Sequence, residues 1–168
     1  MDNENDVMKI DHFSIEDTAL DTLDKFNITQ PVVDVIYVSN EFGVNVEEVE
    51  MPEKYRDVAG FYDANKKTIY ISKNDPPERK QFSIAHELGH IILGHRNYEV
   101  LFRVPHKEAL YPKEEREANS FAAHLLMPDF MIKEYLKKYN LTKNDYIRMA
   151  KIFGVPVIAM KHTLEYLR

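Results

Sequence analysis

Between Ala118 and Leu126 the apolar residues Ala118, Phe121, Ala122, Leu125 and Leu126 fall at i, i+3, i+4, i+7 and i+8, which predicts a helix with one buried face. Pro128 limits its C-terminal end, because the residue before a proline is driven out of the helical region. An earlier stretch is apolar over a wider arc: Ile84, Ala85, Leu88, Ile91, Ile92 and Leu93 predict a largely buried helix over 78–93. Pro76-Pro77 closes the element before it, and Gly94 is its expected cap. Gly89 lies inside this helix at a cost of about 1 kcal/mol relative to alanine, which predicts close packing against a neighbouring backbone or a site.

Shorter patterns fill the rest of the chain. Ser14-Ile15-Glu16-Asp17 resembles a capping box with Asp in place of Glu and predicts a helix from there to about Phe26. Pro31 and Gly43 suit the first position and the C-terminal cap of a helix over 31–42, although β-branched residues weaken it. A strand-like stretch starts at Val44, and 60–63 and 68–72 flank the turn-rich Ala64-Asn65-Lys66-Lys67, which predicts a hairpin. The expected result is a small three-stranded sheet before the 78–93 helix. Residues 96–112 predict an irregular connection long enough to cover a substrate. In the tail, helices are expected over 129–139, from a Thr142 cap to Phe153, and from Pro156 to Leu167. Ala150 to Met160 has the glycine and apolar residues of a helix-turn-helix turn. Its second helix offers only Lys161 and His162 to base edges, so it reads as a packing element rather than a DNA reader. The chain is thus expected to be α+β and mainly helical, with one domain over 1–130 and a helical, helix-turn-helix-like segment over 131–168 packed on it.

Composition narrows the class. The 168 residues are 44% hydrophobic and 30% charged, enough apolar material for one ordinary core. No apolar run approaches the roughly 20 residues of a membrane span, and the acidic N-terminus is unlike a secretory signal, so a cytoplasmic protein is expected. With no cysteine, disulfides and thiolate ligands are excluded. The net charge of −6 argues against broad attraction to DNA. The acidic first thirty residues and the basic tail from Lys133 read as solvated helix faces of opposite sign.

The chemistry lies in His86-Glu87-Leu88-Gly89-His90. On a helix, residues four apart share a face one turn apart, so His86 and His90 can hold one cation while Glu87 reaches a bound water without ligating. Two surface histidines four apart by accident would give the same string. The broad apolar surroundings oppose that, because buried His and Glu need partners, which a metal supplies together. A catalytic zinc takes three protein ligands and leaves one position open. Without cysteine the third ligand is His, Asp or Glu, and the richest candidate segment is Glu114-Glu115-Arg116-Glu117 at the start of the second helix. Glu117, bordering the apolar face, is the expected ligand, with Glu114 and Glu115 complementing the helix N-terminus.

Two blocks carry a family resemblance. Phe82-Ser83-Ile84-Ala85-His86-Glu87-Leu88-Gly89-His90-Ile91-Ile92-Leu93-Gly94-His95 and Glu117-Ala118-Asn119-Ser120-Phe121-Ala122-Ala123-His124-Leu125-Leu126-Met127-Pro128 resemble the ImmA/IrrE family of zinc peptidases, strongest over about residues 55–128. The resemblance implies a zincin-like fold, zinc held by His86, His90 and Glu117, and Glu87 as catalytic base. His124 stands where a glutamate or another polar residue is expected. Small stand-alone members, carried by mobile elements and phages, relieve repression by cleaving a helix-turn-helix repressor; larger members add a sensory domain for which 168 residues leave little room. His95, Tyr111 and His124 are further candidates for substrate or oxyanion contacts, although ordinary hydrogen bonding is the plainer role of the histidines. The competing function is a regulatory protein that binds a repressor or DNA without cutting, its zinc site structural or vestigial. An intact Glu87 favours the peptidase, since a structural zinc needs no base and usually has four protein ligands.

Overall fold

The structure, a computed structural model, describes residues 4–95 and 112–168, with side chains from Ile15 onward. Helix α1 (Glu4–Lys25) runs through Ser14 instead of starting there. No proline or glycine interrupts residues 4–14, so the capping pattern has nothing to enforce a start. Helix α2 (Val35–Glu41) is shorter than expected because Asp34, not Pro31, sets its start: the Asp34 carboxylate accepts the Tyr37 N–H at 2.9 Å.

Strands β1 (Asn45–Val49), β2 (Gly60–Asp63) and β3 (Thr68–Ser72) form the expected three-stranded sheet, in the order β1-β3-β2. The β2–β3 hairpin is antiparallel, with Asp63 opposite Thr68, while β1 runs parallel to β3. The Asp63 carboxylate closes the turn by accepting the N–H groups of Asn65 and Lys66 at 2.9 and 3.2 Å. The central strand β3 packs near α3 and buries Ile69 and Ile71.

Helix α3 (Pro77–Ile92) starts on a proline and stops before Gly94, whose φ of 72° suits a residue without Cβ. Helix α4 (Pro112–Leu126) packs against α3 on one side and α1 on the other. The expected connection over 96–112 lies outside the described residues apart from Pro112, which opens α4. Helices α5 (Asp129–Lys138), α6 (Tyr146–Phe153) and α7 (Val157–Glu165) complete the chain. Thr142 does not start α6; it donates its N–H and hydroxyl to the Asp145 carboxylate, and the helix begins after Asp145. One buried cluster runs from Leu23 and Val38 through Leu88 and Phe121 to Phe153 and Leu164, so the tail helices share the core of the rest. Fully burying a side chain such as Phe121 contributes about 1.5–3 kcal/mol. Among the described residues no helix is long and apolar enough to cross a membrane.

Candidate metal centre

Helix α3 sets His86 and His90 one turn apart, with their rings edge to face and Nε2 atoms 3.1 Å apart. The acid that α4 brings to them is Glu115. Its Oε2 lies 3.2 Å from His86 Nε2 and its Oε1 lies 3.0 Å from His90 Nε2. In a tetrahedral site with bonds of about 2.0–2.1 Å, ligand atoms stand ~3.3 Å apart, so the trio needs only slight opening to admit an ion. Two imidazole nitrogens and one carboxylate oxygen, all within 4.8 Å of one another, also suit such a cation chemically. His90 and Glu115 are buried and His86 is nearly so. Burial holds the His90 imidazole below its ordinary pKa of 6.5, against the opposing pull of Glu115 and Glu87. The neutral ring is the form that ligates.

Each histidine is also held from behind. His86 Nδ1 lies 2.8 Å from the side-chain oxygen of Asn119, which can only accept, so that nitrogen donates and Nε2 is the one that faces the cluster. His90 Nδ1 lies 2.8 Å from His95 Nδ1, and His95 Nε2 lies 2.8 Å from Glu117 Oε2. Glu87 is buried beside the sheet. A Cβ on Gly60 of β2 would stand 3.8 Å from the Glu87 Cγ and 3.0 Å from the Tyr70 carbonyl oxygen, so the missing side chain at Gly60 keeps strand and helix close. Gly89 serves the helix pair in the same way. A Cβ there would approach Phe121 Cδ1 to 3.0 Å and the Ala118 carbonyl oxygen to 3.2 Å, the close packing expected of an interior helical glycine.

Glu117, the expected ligand, is not the acid that meets the motif histidines. It sits on His95, with Lys113 Nζ 3.7 Å from its other oxygen, while Glu115 faces the two motif histidines. Helix phase explains the exchange. Glu115 precedes Ala118 by three residues and Ala122 by seven, placing it about 50° from the centre of the buried face, whereas Glu117 is about 110° away. Asn119, one turn after Glu115 on the same side, was detectable by the same count. His95 faces His90 and Glu117. His124 lies away from the cluster, its Nδ1–H donating to the Ser120 carbonyl at 2.8 Å and its Nε2 3.8 Å from Glu16 of α1. Tyr111 lies outside the described residues.

A family model described as the IrrE N-terminal-like domain, a peptidase family, matches residues 39–165. The chain belongs to the ImmA/IrrE metallopeptidase family. Its relatives within and around that family include the uncharacterized immunity region protein 2 of Bacillus phage phi105, 35% identical over 104 residues, covering 61% of this chain and 63% of the relative. The radiation response metalloprotease IrrE of Deinococcus radiodurans is 34% identical over 110 residues, covering 60% and 31%. Metallopeptidase ImmA of Bacillus subtilis is 33% identical over 97 residues, covering 58% and 54%. The match thus spans less than two thirds of each relative's length. A Mycobacterium tuberculosis transcriptional regulator shares the fold with a TM-score of 0.70 at 17% identity, over 93% of this chain and 47% of that one. An ImmA/IrrE metallopeptidase requires a metal ion, and His86, His90 and Glu115 are a group that could hold it.

Proposed function

We propose that this chain is a zinc-dependent endopeptidase that cuts a helix-turn-helix repressor and so relieves repression. The observation that carries the reading is the convergence of His86, His90 and Glu115, with the buried acid Glu87 on the same helix. Zinc is the cation that two imidazoles and one carboxylate suit best for hydrolysis; bound there, it would polarise a water and lower its pKa to about 7. Glu87 accepts a proton from the attacking water and delivers it to the leaving amine. Among the described residues the sheet order leaves β2 at an edge, and Gly60 brings it against Glu87. An extended substrate segment pairing with the outer side of β2 would present a carbonyl near the cluster.

In this proposal residues 1–130 carry the zincin-like peptidase and 131–168 form a helix-turn-helix-like segment packed on it, in a cytoplasmic protein without direct DNA contact. The likeness to a phage immunity region protein supports a repressor as the substrate class. The test compares wild type with Glu87→Gln for bound zinc and for cleavage of a repressor encoded beside the gene. Glu87→Gln is expected to keep its zinc and lose cleavage by on the order of 10²–10⁴-fold. Undiminished cleavage by that variant would remove Glu87 from its role. Derepression by wild type with the repressor intact would replace the peptidase with a binding protein.

A further inference from the structure

Five helix ends among the described residues share one backbone motif. Asn27, Gly43, Gly94, Asn140 and Gly154 each take a positive φ, and the next residue's N–H returns to the carbonyl five positions back. This motif folds the following side chain over the last turn, where an apolar contact is usual. After four of these ends that residue is Ile28, Val44, Leu141 or Val155. After α3 it is His95, whose N–H bonds the His90 carbonyl at 3.0 Å and whose ring is buried against the His90 ring.

We propose that His95 and Glu117 are positioning residues that fix the proton of His90 on Nδ1 and so keep its Nε2 lone pair turned to the metal. The direction follows from what each group can do. The Glu117 carboxylate only accepts, so the His95 nitrogen 2.8 Å away, Nε2, is the donor. In the neutral His95 ring Nδ1 is then an acceptor, and the group 2.8 Å from it, His90 Nδ1, must donate. His90 Nε2 then has its lone pair for a cation seated between it, His86 Nε2 and the Glu115 carboxylate, 3.1 and 3.0 Å away; in an empty cluster Glu115, which only accepts, draws a proton to Nε2 instead. The opposite order would put a hydrogen on His90 Nε2, where it would exclude a cation. Gly94 makes the relay possible by turning the chain back over α3.

The inference rests on the metal site proposed above, and the test separates the two. His95→Leu supplies the apolar contact of the other helix ends, so packing alone survives it. His95→Gln can accept from His90 with its carbonyl and donate to Glu117 with its amide. Nitrogen–proton correlation spectra of the imidazoles should show a proton on His90 Nδ1 in wild type with and without zinc, and metal-free His95→Leu should lose it and keep only a proton on Nε2, facing Glu115. Zinc affinity, from competition with a chelator, should fall about 10–100-fold in His95→Leu and recover most of that loss in His95→Gln. A wild-type His90 with no proton on Nδ1, or a His95→Leu protein with unchanged His90 protonation and unchanged zinc affinity, overturns the relay. Wild type that binds no zinc overturns the metal site, while the tautomer spectra still judge the relay.

Discussion

Helices α3 and α6 end alike and are used differently. Each stops on a left-handed glycine, Gly94 or Gly154, followed by a residue folded back over the last turn. After α6 that residue is Val155, which joins the core, and the polar groups of this region stay near the surface, where Thr142 and Asp145 bond each other across one turn. After α3 it is His95, and the polar groups of α3 and α4 are turned inward: Glu87, His90, His95 and Glu115 are all buried. The exposed pair is satisfied within its own turn. The buried set is tied across helices, His90 to Glu115 and His95 to Glu117 of α4, as is the nearly buried His86 to Asn119. Losing an inward polar group should therefore register far along the sequence, and losing an outward one should remain local.

The largest effect expected from that difference is at Glu115. Glu115→Ala removes the one carboxylate shared by both motif histidines, and zinc affinity should fall by more than the roughly 100-fold upper range of an outer partner. Glu117→Ala removes the acceptor behind His95 and should stay within about 10–100-fold. Chelator competition on both proteins ranks them. If Glu117→Ala is the more damaging, the carboxylates have been assigned the wrong way round.

The same contrast explains what could be read from the chain alone. Groups on one helix keep their geometry from spacing, so His86, Glu87 and His90 were legible as a cluster, as was the Asp63-centred hairpin, which is closed by its own residues. The apolar period marked α4 correctly and its phase disfavours Glu117, but it leaves Glu114 and Glu115 about equally near the buried face, and choosing between them needed the rotation of α4 against α3. That rotation is fixed by packing of Gly89 on Phe121 and Ala118, contacts between residues some thirty positions apart. Helix starts suffered where a local signal was outbid: the Ser14 pattern lies mid-helix, and Asp34 overrode Pro31. The relay through His95 was hidden for a related reason. A count along a straight helix carries His95 past the ligand face, whereas the chain reversal at Gly94 returns it to His90.

Gly89→Ala tests the docking itself and should have an intermediate effect. The added methyl meets the Ala118 carbonyl, which is backbone and cannot swing aside, and the Phe121 ring, which is buried. Overpacking of this kind costs about 1–3 kcal/mol, against a gain of about 1 kcal/mol in helix propensity. A net loss of up to about 2 kcal/mol is expected in urea unfolding of the metal-free protein, with weaker zinc binding because α4 and its Glu115 are pushed away from α3. A more stable Gly89→Ala protein would mean the two helices have room that the close approach denies.

The smallest effect is expected on the outward side, at Asp145. Its carboxyl is held below its ordinary value of 3.8 by the N–H of Thr142 and then by the Thr142 hydroxyl, with Arg148 adding to both. A group with a depressed folded-state pKa binds its proton more readily when unfolded, so its contribution is fully present above the unfolded value and disappears as pH falls through the folded one. Asp145→Asn should therefore lower the thermal midpoint slightly at neutral pH, by much less than Gly89→Ala. The gap between variant and wild type should close on acidification below the ordinary carboxylate range. Part of it should also vanish in high salt, because the Arg148 contribution is a surface interaction open to screening. Zinc affinity should not change at all. A weaker zinc site in Asp145→Asn would break the division between local and cross-helix polar groups, since Asp145 shares no bond with α3 or α4.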